Sequence, residues 1–193
     1  MTKRKRTQNA KALILKTSTE VFAEYGYDGA RVDEIARRAD IAKALIYYHF
    51  EGKADILKEL INQFIEMYGN TIVVTLGDDE AIELAFRKFI EEHEDIIRII
   101  LVESLKKNEN VPPLFELIEM LIKLEQEVID RPENDKIMQR MVVEFFMNMM
   151  PRATYACFKD DWCKHFKTEP KELESMFYEA MLNVHSAYIK TLF

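Results

Sequence analysis

The apolar positions of this chain recur at helical spacing almost from end to end. Ile14, Ser18, Val21 and Phe22 lie about one turn apart and predict a helix from Ala10 to about Tyr25, closed by Gly26. Val32, Ile35, Ala36 and Ala39 follow at i, i+3, i+4 and i+7 and mark one face of a second, short helix. Asp40 and Ile41 interrupt that pattern. A third short helix runs from Ala42 to about Tyr48, with Ile46 and Phe50 as its inward side chains. Two helices this short and this tightly joined cannot pack as an antiparallel hairpin, so the spacing predicts the crossed pair of a helix-turn-helix. Glu51 and Gly52 break the third helix. Lys53 opens a long one, with Ile56, Leu57, Leu60, Ile61, Phe64, Ile65 and Tyr68 at helical spacing, reaching about Leu76.

All five glycines lie in the first 77 residues, and the remainder is interrupted mainly by proline. That favours helices with short connections. The pattern predicts helices over 79–93, 94–108, 113–131, 134–159 with a kink at Pro151, a short one over 160–165, and 170–192. No β-alternation and no repeat is present, so the expected class is all-α.

Two of these helices are apolar over more than one stripe. Met138, Met141, Met147, Met149 and Met150 crowd one helix together with Phe145 and Phe146. Leu173, Met176, Phe177, Ala180, Met181, Val184, Tyr188 and Ile189 give the last helix a similarly broad face. Such helices are buried on more than one side. Paired with their symmetry mates they would make a four-helix bundle, the contact of a homodimer.

Charge changes the picture next. The net charge of −7 over 193 residues suits no polyanion ligand until it is divided. Residues 1–53 hold 11 Lys/Arg against 7 Asp/Glu, and residues 54–193 hold 16 against 27. A basic head on an acidic body directs a polyanion to the head alone. The run Lys3, Arg4, Lys5, Arg6 reads as a mobile basic arm within 2–9, placed to meet phosphate or a minor groove. No apolar run is long enough to span a membrane and no signal-peptide pattern follows the basic start, so a cytoplasmic protein is expected. Cys157 and Cys163 are too few for a disulfide framework and read as reduced thiols. Neither they nor His93, His165 and His185 show zinc-ligand spacing, and neither metal nor cofactor is expected.

The candidate chemistry therefore lies in the head. The third helix offers Lys43, Tyr47, Tyr48 and His49, side chains suited to phosphates and base edges. In the run from Ile14 to Leu57, the marks Phe22-Ala23-Glu24, Gly26-Tyr27, Val32-Asp33-Glu34-Ile35-Ala36, Ile41, Lys43, Ile46 to Phe50 and Lys53 keep a fixed spacing. This run resembles the DNA-binding module of the TetR family of bacterial transcriptional regulators. The resemblance implies an all-α homodimer: a homeodomain-like three-helix head over 1–53, and a helical effector-binding and dimerisation body over 54–193. It implies a regulator, most often a repressor, that leaves operator DNA when a small molecule enters the body. Carried over by position, Ala42, Ala44 and Leu45 would face the major groove, with Lys43, Tyr47, Tyr48 and His49 at the DNA surface. Lys53 would meet a phosphate at a helix N-terminus.

Three departures stand out. Asp40 occupies the turn position where the family usually has glycine; aspartate tolerates the left-handed conformation better than most residues. Ala30 and Arg31 stand where a capping Thr or Ser is common, so the cap is lost and Arg31 offers a contact to phosphate or guanine instead. The run Ala42, Ala44, Leu45 is apolar, leaving thymine methyls, Lys43 and Arg31 for base reading.

In the body, the Met and Phe content suits an apolar or aromatic effector. The candidate lining is Phe64, Tyr68, Phe89, Met120, Phe146 and Met149, with His93 and Glu103 to orient a polar end. Two other classes are weighed against this reading. An interaction module without DNA binding is suggested by the apolar run at 42–45. An enzyme would need a phosphate loop, a nucleophile elbow or a metal motif, and the sequence has none.

Overall fold

The computed structural model describes residues 3–75, 79–106, 111–128 and 137–192. Among these residues there are ten α-helices, one π-helical turn and no strand. α1 (Lys3–Gly29), α2 (Val32–Arg38) and α3 (Lys43–His49) form the head. α4 (Lys53–Thr75), α5 (Asp79–Glu92), α6 (Glu94–Ser104) and α7 (Pro113–Val128) follow. α8 (Ile137–Val143), the π turn (Glu144–Met149) and α9 (Met150–Phe166) run on from one another, and α10 (Pro170–Leu192) closes the chain. The expected helix ends at 76, 107–108, 129–131 and 134–136 lie outside the described residues.

The basic arm is not a separate segment. From Lys3 onward it forms the first turns of α1, because nothing between Lys3 and Asn9 is a helix breaker. Thr2 lies outside the described residues. The break comes where the sequence places it: Gly26 takes φ 69° and ψ 158°, which a glycine adopts without a Cβ penalty. Its carbonyl accepts the amide of Ala30 at 3.1 Å, which closes the turn into α2.

Arg31 precedes α2 in an extended conformation and makes no side-chain cap. Compensation for the lost cap is electrostatic. Asp33 and Glu34 sit in the first turn of α2 and Arg37 and Arg38 in the last, each matched to the helix dipole. Asp40 adopts φ 51°, so the turn survives without glycine. Ile35 and Ile46 are fully buried, and with Phe22 and Phe50 they lock α1, α2 and α3 together.

Head and body share one core. Buried side chains run without interruption from Ile14, Phe22 and Ile46, through Ile56 and Phe64 of α4, to Phe89, Ile97, Ile100 and Leu117. α1 packs along α6, and α4 packs against α1, α5, α6 and α7. Gly69 of α4 marks a close helix approach: a Cβ there would meet the Met120 sulfur at 3.2 Å.

The predicted helix over 134–159 differs in form. The six residues just before α9, and so just before Pro151, are π-helical. Proline lacks an amide and crowds the carbonyl four residues back, and a widened turn removes that clash. The short helix expected over 160–165 is the end of α9, which stops at Lys167 with φ 54°.

Candidate nucleic-acid interface and effector cavity

α3 presents its outer face to solvent. Tyr47 and Tyr48 are 52% and 72% exposed, high values for aromatic side chains on a helix whose core position, Ile46, is fully buried. Ala42, Lys43 and Ala44 are exposed beside them, and Leu45 is half-buried. Arg31 is exposed at the start of α2. The Lys43 ammonium meets the Asp33 carboxylate at 2.7 Å and lies 5.9 Å from the centre of the Tyr47 ring. Lys43 is thus pre-positioned on the face between α2 and α3, paired with an acid that a phosphate would have to replace.

The other bases of α2 are occupied. Arg37 grips Glu34 through two hydrogen bonds at 2.8 and 2.7 Å, and Arg38 reaches both Glu34 and Glu24 at 2.7 Å. Hydrogen bonds from Arg37 and Arg38 hold the Glu34 carboxyl at about 2.

Two expected contact residues are placed differently. His49 is half-buried, edge-on to Tyr48 at 5.1 Å, with Nε2 enclosed and unpartnered among the described residues. The cause is its position in the last turn of α3, next to the buried Phe50. Lys53 is a clasp within the head. Its ammonium donates to the carbonyls of Tyr27, Asp28 and Ala30 at 2.9, 3.1 and 3.3 Å and lies 4.6 Å from the centre of the Tyr27 ring. The chain leaving α1 presents unpaired carbonyls at the point where α4 begins, and an ammonium there satisfies all three.

The same turn is tied to the body. Lys106, just past α6, donates to the Asp28 carboxylate at 2.8 Å and pairs with Glu103 at 2.8 Å. Its ammonium lies 5.2 Å from the centre of the Tyr27 ring. Glu103 thus takes part in the head–body link and is not among the residues lining the cavity described below.

Inside the body, α4, α5, α6, α7, the π turn and α9 line a cavity of about 30 Å³. Phe64, Tyr68, Phe89 and Met149 line it as expected, joined by Phe86 and Arg152. The rings pack on one another: Tyr68 lies 5.1 Å from Phe86 and 5.4 Å from Phe89. Burial pushes the Tyr68 phenol above its ordinary pKa, so it stays neutral.

The remaining expected residues lie elsewhere. His93 caps α6 from outside the cavity, stacked on Phe89 at 4.3 Å, with Nδ1 2.8 Å from the Phe89 carbonyl oxygen. Met120 is spent on the close approach of α7 to Gly69. Phe146 is 58% exposed, turned outward by the π register.

Sequence reasoning missed the polar wall. Arg152 is 7% exposed and pairs with Glu83 of α5 at 2.6 Å. Asn148 accepts from its Nη1 through both the backbone and side-chain oxygens at 3.3 Å. Asn148 and Arg152 are one turn apart in an otherwise apolar stretch, and that pattern was the available signal.

A second concavity, about 720 Å³ and open to solvent, lies along α9 and α10. Phe158, Trp162, Phe166 and Met176 leave large apolar surfaces exposed along it. Tyr155 and Phe177 stack at 4.1 Å on its floor. Burial pushes the Tyr155 phenol up to about 12.

An all-helical chain with an exposed aromatic helix-turn-helix on a helical body defines a class of DNA-binding regulator, and sequence comparison agrees. Residues 14–60 match the family model of the bacterial regulatory proteins of the tetR family. The match places the DNA-binding module of that family in residues 14–60 of this chain. It is 27% identical over 143 residues to the negative transcriptional regulator IcaR of the biofilm operon icaADBC in Staphylococcus aureus, covering 71% of this chain and 76% of that protein. Among solved structures, a transcriptional regulator from Aquifex aeolicus VF5 superposes with a TM-score of 0.65 at 20% identity, over 95% of this chain and 99% of that one. FadR from Bacillus subtilis, in complex with stearoyl-CoA, gives 0.57 at 21% identity, over 89% and 97%. At these identities the two structures speak for the fold.

Proposed function

We propose that this protein is a homodimeric repressor that binds operator DNA through residues 1–53 and releases it when an apolar or aromatic small molecule enters the body, residues 54–193. The observation that carries the reading is the outer face of α3. Two tyrosines and a lysine stand exposed on a helix whose opposite face is locked into the core. Nothing in the head's own packing requires them there. Tyr47 and Tyr48 supply hydroxyls for phosphates, which set register on a duplex. Arg31 and Lys43 supply charge for phosphate or guanine, and Ala42, Ala44 and Leu45 supply apolar contact for thymine methyls. Repression is favoured by the likeness to a negative regulator, and effector release by the likeness to FadR, a protein seen with an acyl thioester.

The groove along α9 and α10 supports the dimer. Exposed Phe158, Trp162, Phe166 and Met176 form a continuous apolar strip of the kind that a second copy covers. The link through Lys106 gives the body a handle on the head. Any shift of α6 moves Asp28 and Tyr27, and with them the entry to α2.

Gel-shift titration of the full chain against DNA flanking its own gene tests the reading. Salt-dependent specific binding is expected. Tyr48→Ala should weaken it about tenfold with the dimer intact, one charged hydrogen bond being worth about that much. Absence of specific binding to any genomic fragment would overturn the proposal. Loss of the dimer in Tyr48→Ala would mean that this face is an interface and not a reader.

A further inference from the structure

The wall of the body cavity is apolar except at Arg152 and the neutral Tyr68 hydroxyl. Phe64, Tyr68, Phe86 and Phe89 supply rings, Met149 supplies a thioether, and among the described residues Arg152 is the single charged side chain lining it. A guanidinium has five N–H groups on three nitrogens, and the three nitrogens can be followed one by one. Nη2 meets Glu83, Nη1 faces the two oxygens of Asn148, and the Phe86 ring centre lies 5.4 Å from the guanidinium carbon. The Nε–H is buried with no acceptor among the described residues. A buried donor left unmade is unfavourable, and native proteins seldom retain one without use.

From this accounting we infer that the effector is an uncharged molecule, largely aromatic, carrying one hydrogen-bond-accepting oxygen that takes the Arg152 Nε–H. The inference rests on the proposal that the body binds an effector, and it names the class. A ketone, ester or ether oxygen satisfies the site. A carboxylate does not, because the positive charge of Arg152 is already balanced by Glu83. One oxygen of Glu83 is itself buried with no partner among the described residues, and it would repel a second anion. The neighbouring Glu144, which accepts from Asn148, adds to that repulsion. An ammonium is excluded by Arg152 itself.

The cavity of about 30 Å³ is smaller than a ring needs; a dry cavity that takes up benzene measures about 150 Å³. The wall therefore opens on binding. The side carrying Met149 and Asn148 is the π turn, a register that helices hold at a cost and commonly place at functional sites.

Calorimetric titration of the full chain with three probes of equal heavy-atom count and similar planar shape tests the inference. Acetophenone carries a neutral acceptor, α-methylstyrene replaces that oxygen by carbon, and benzoate carries a charge. Acetophenone is expected to bind roughly tenfold more tightly than either of the others, the worth of one buried hydrogen bond. Arg152→Lys keeps a cation for Glu83 and removes the Nε–H, so acetophenone and α-methylstyrene should then bind alike. Glu83→Gln removes the balancing charge, so benzoate should gain on acetophenone; this variant also serves if Arg152→Lys fails to fold. Equal binding of acetophenone and α-methylstyrene to the unaltered chain would overturn the inference, as would tightest binding of benzoate. Failure of all three to bind, while a small-molecule extract still releases the chain from its DNA, would overturn the inference and leave the proposed function standing. Failure of probes and extract alike would overturn both.

Discussion

The head and the body solve different problems with the same kind of helix. In the head, every charged side chain of α2 has a partner. Arg37, Arg38, Glu34 and Glu24 form one network, Lys43 holds Asp33, and Lys53 closes three carbonyls. In the body, Glu83, Arg87, Arg152 and Tyr178 each keep a buried polar atom without a partner among the described residues, and broad apolar strips are exposed along α9 and α10. On the proposed reading, these pairs hold fixed the surface that would meet a duplex. On the same reading, the body would leave groups unsatisfied until a ligand and a second copy arrive. Buried unmade hydrogen bonds also occur in the head, at Ser18 and His49, so in the body it is their coincidence with the cavity and the uncovered apolar strip that marks candidate sites.

The comparison can be broken most severely at Phe22, which is 1% exposed at the centre of the head. Phe22→Ala should cost about 3–5 kcal/mol. Because the core is continuous into α6, chemical denaturation should show one earlier transition and not a melted head on an intact body. Two separated transitions would mean that head and body are energetically independent.

Next in size is the uncovered strip. Trp162→Ala removes a large exposed ring that, in a dimer, is a centre of contact. Its effect on association should exceed about 2 kcal/mol while monomer folding is spared. Sedimentation across a concentration series reads this directly. An unchanged dimer would place the interface elsewhere.

Lys53→Met sharpens the role of the clasp. Losing its bonds to three carbonyls should destabilise the protein by about 1.5 kcal/mol, the low end for charged hydrogen bonds because exposed carbonyls can turn to water. A lowered melting temperature is the expected result. Weakened DNA binding with unchanged melting would instead make Lys53 a phosphate contact.

The smallest effect is that of acid on the head. Glu34 titrates at about 2 when folded and at 4.5 when free. Its folded pKa is the lower one, so its contribution is complete above 4.5 and is lost as the pH falls from 4.5 through 2. The carboxylate is exposed enough that solvent screens it, and the loss should be slight. Helix content followed through that window should fall a little in the unaltered chain, and Glu34→Gln should lack that step.

Much of the head was legible in the sequence because its signals are local. Asp40 in the left-handed conformation, the missing cap at Arg31 and the split of inward Ile46 from outward Tyr47 and Tyr48 all follow from residues a few positions apart. Where the local signal gave out, His49 turned half inward and Lys53 was drawn into the packing of the head. The carbonyls that hold Lys53 come from a turn more than twenty residues away. The body was legible only in class. Phe64, Tyr68, Phe89 and Met149 reach the cavity, while His93, Glu103, Met120 and Phe146 were equally plausible by periodicity and do not.

What the chain determined by itself is the period and polarity of its helices, the break at Gly26 and the basic and acidic halves, since each depends on neighbours in sequence. Tertiary structure decided which polar groups meet. Arg152 finds Glu83 across 69 residues, and Lys106 finds Asp28 across 78. Such pairings depend on how helices cross, and a helical pattern fixes which face turns inward without fixing what it will find there.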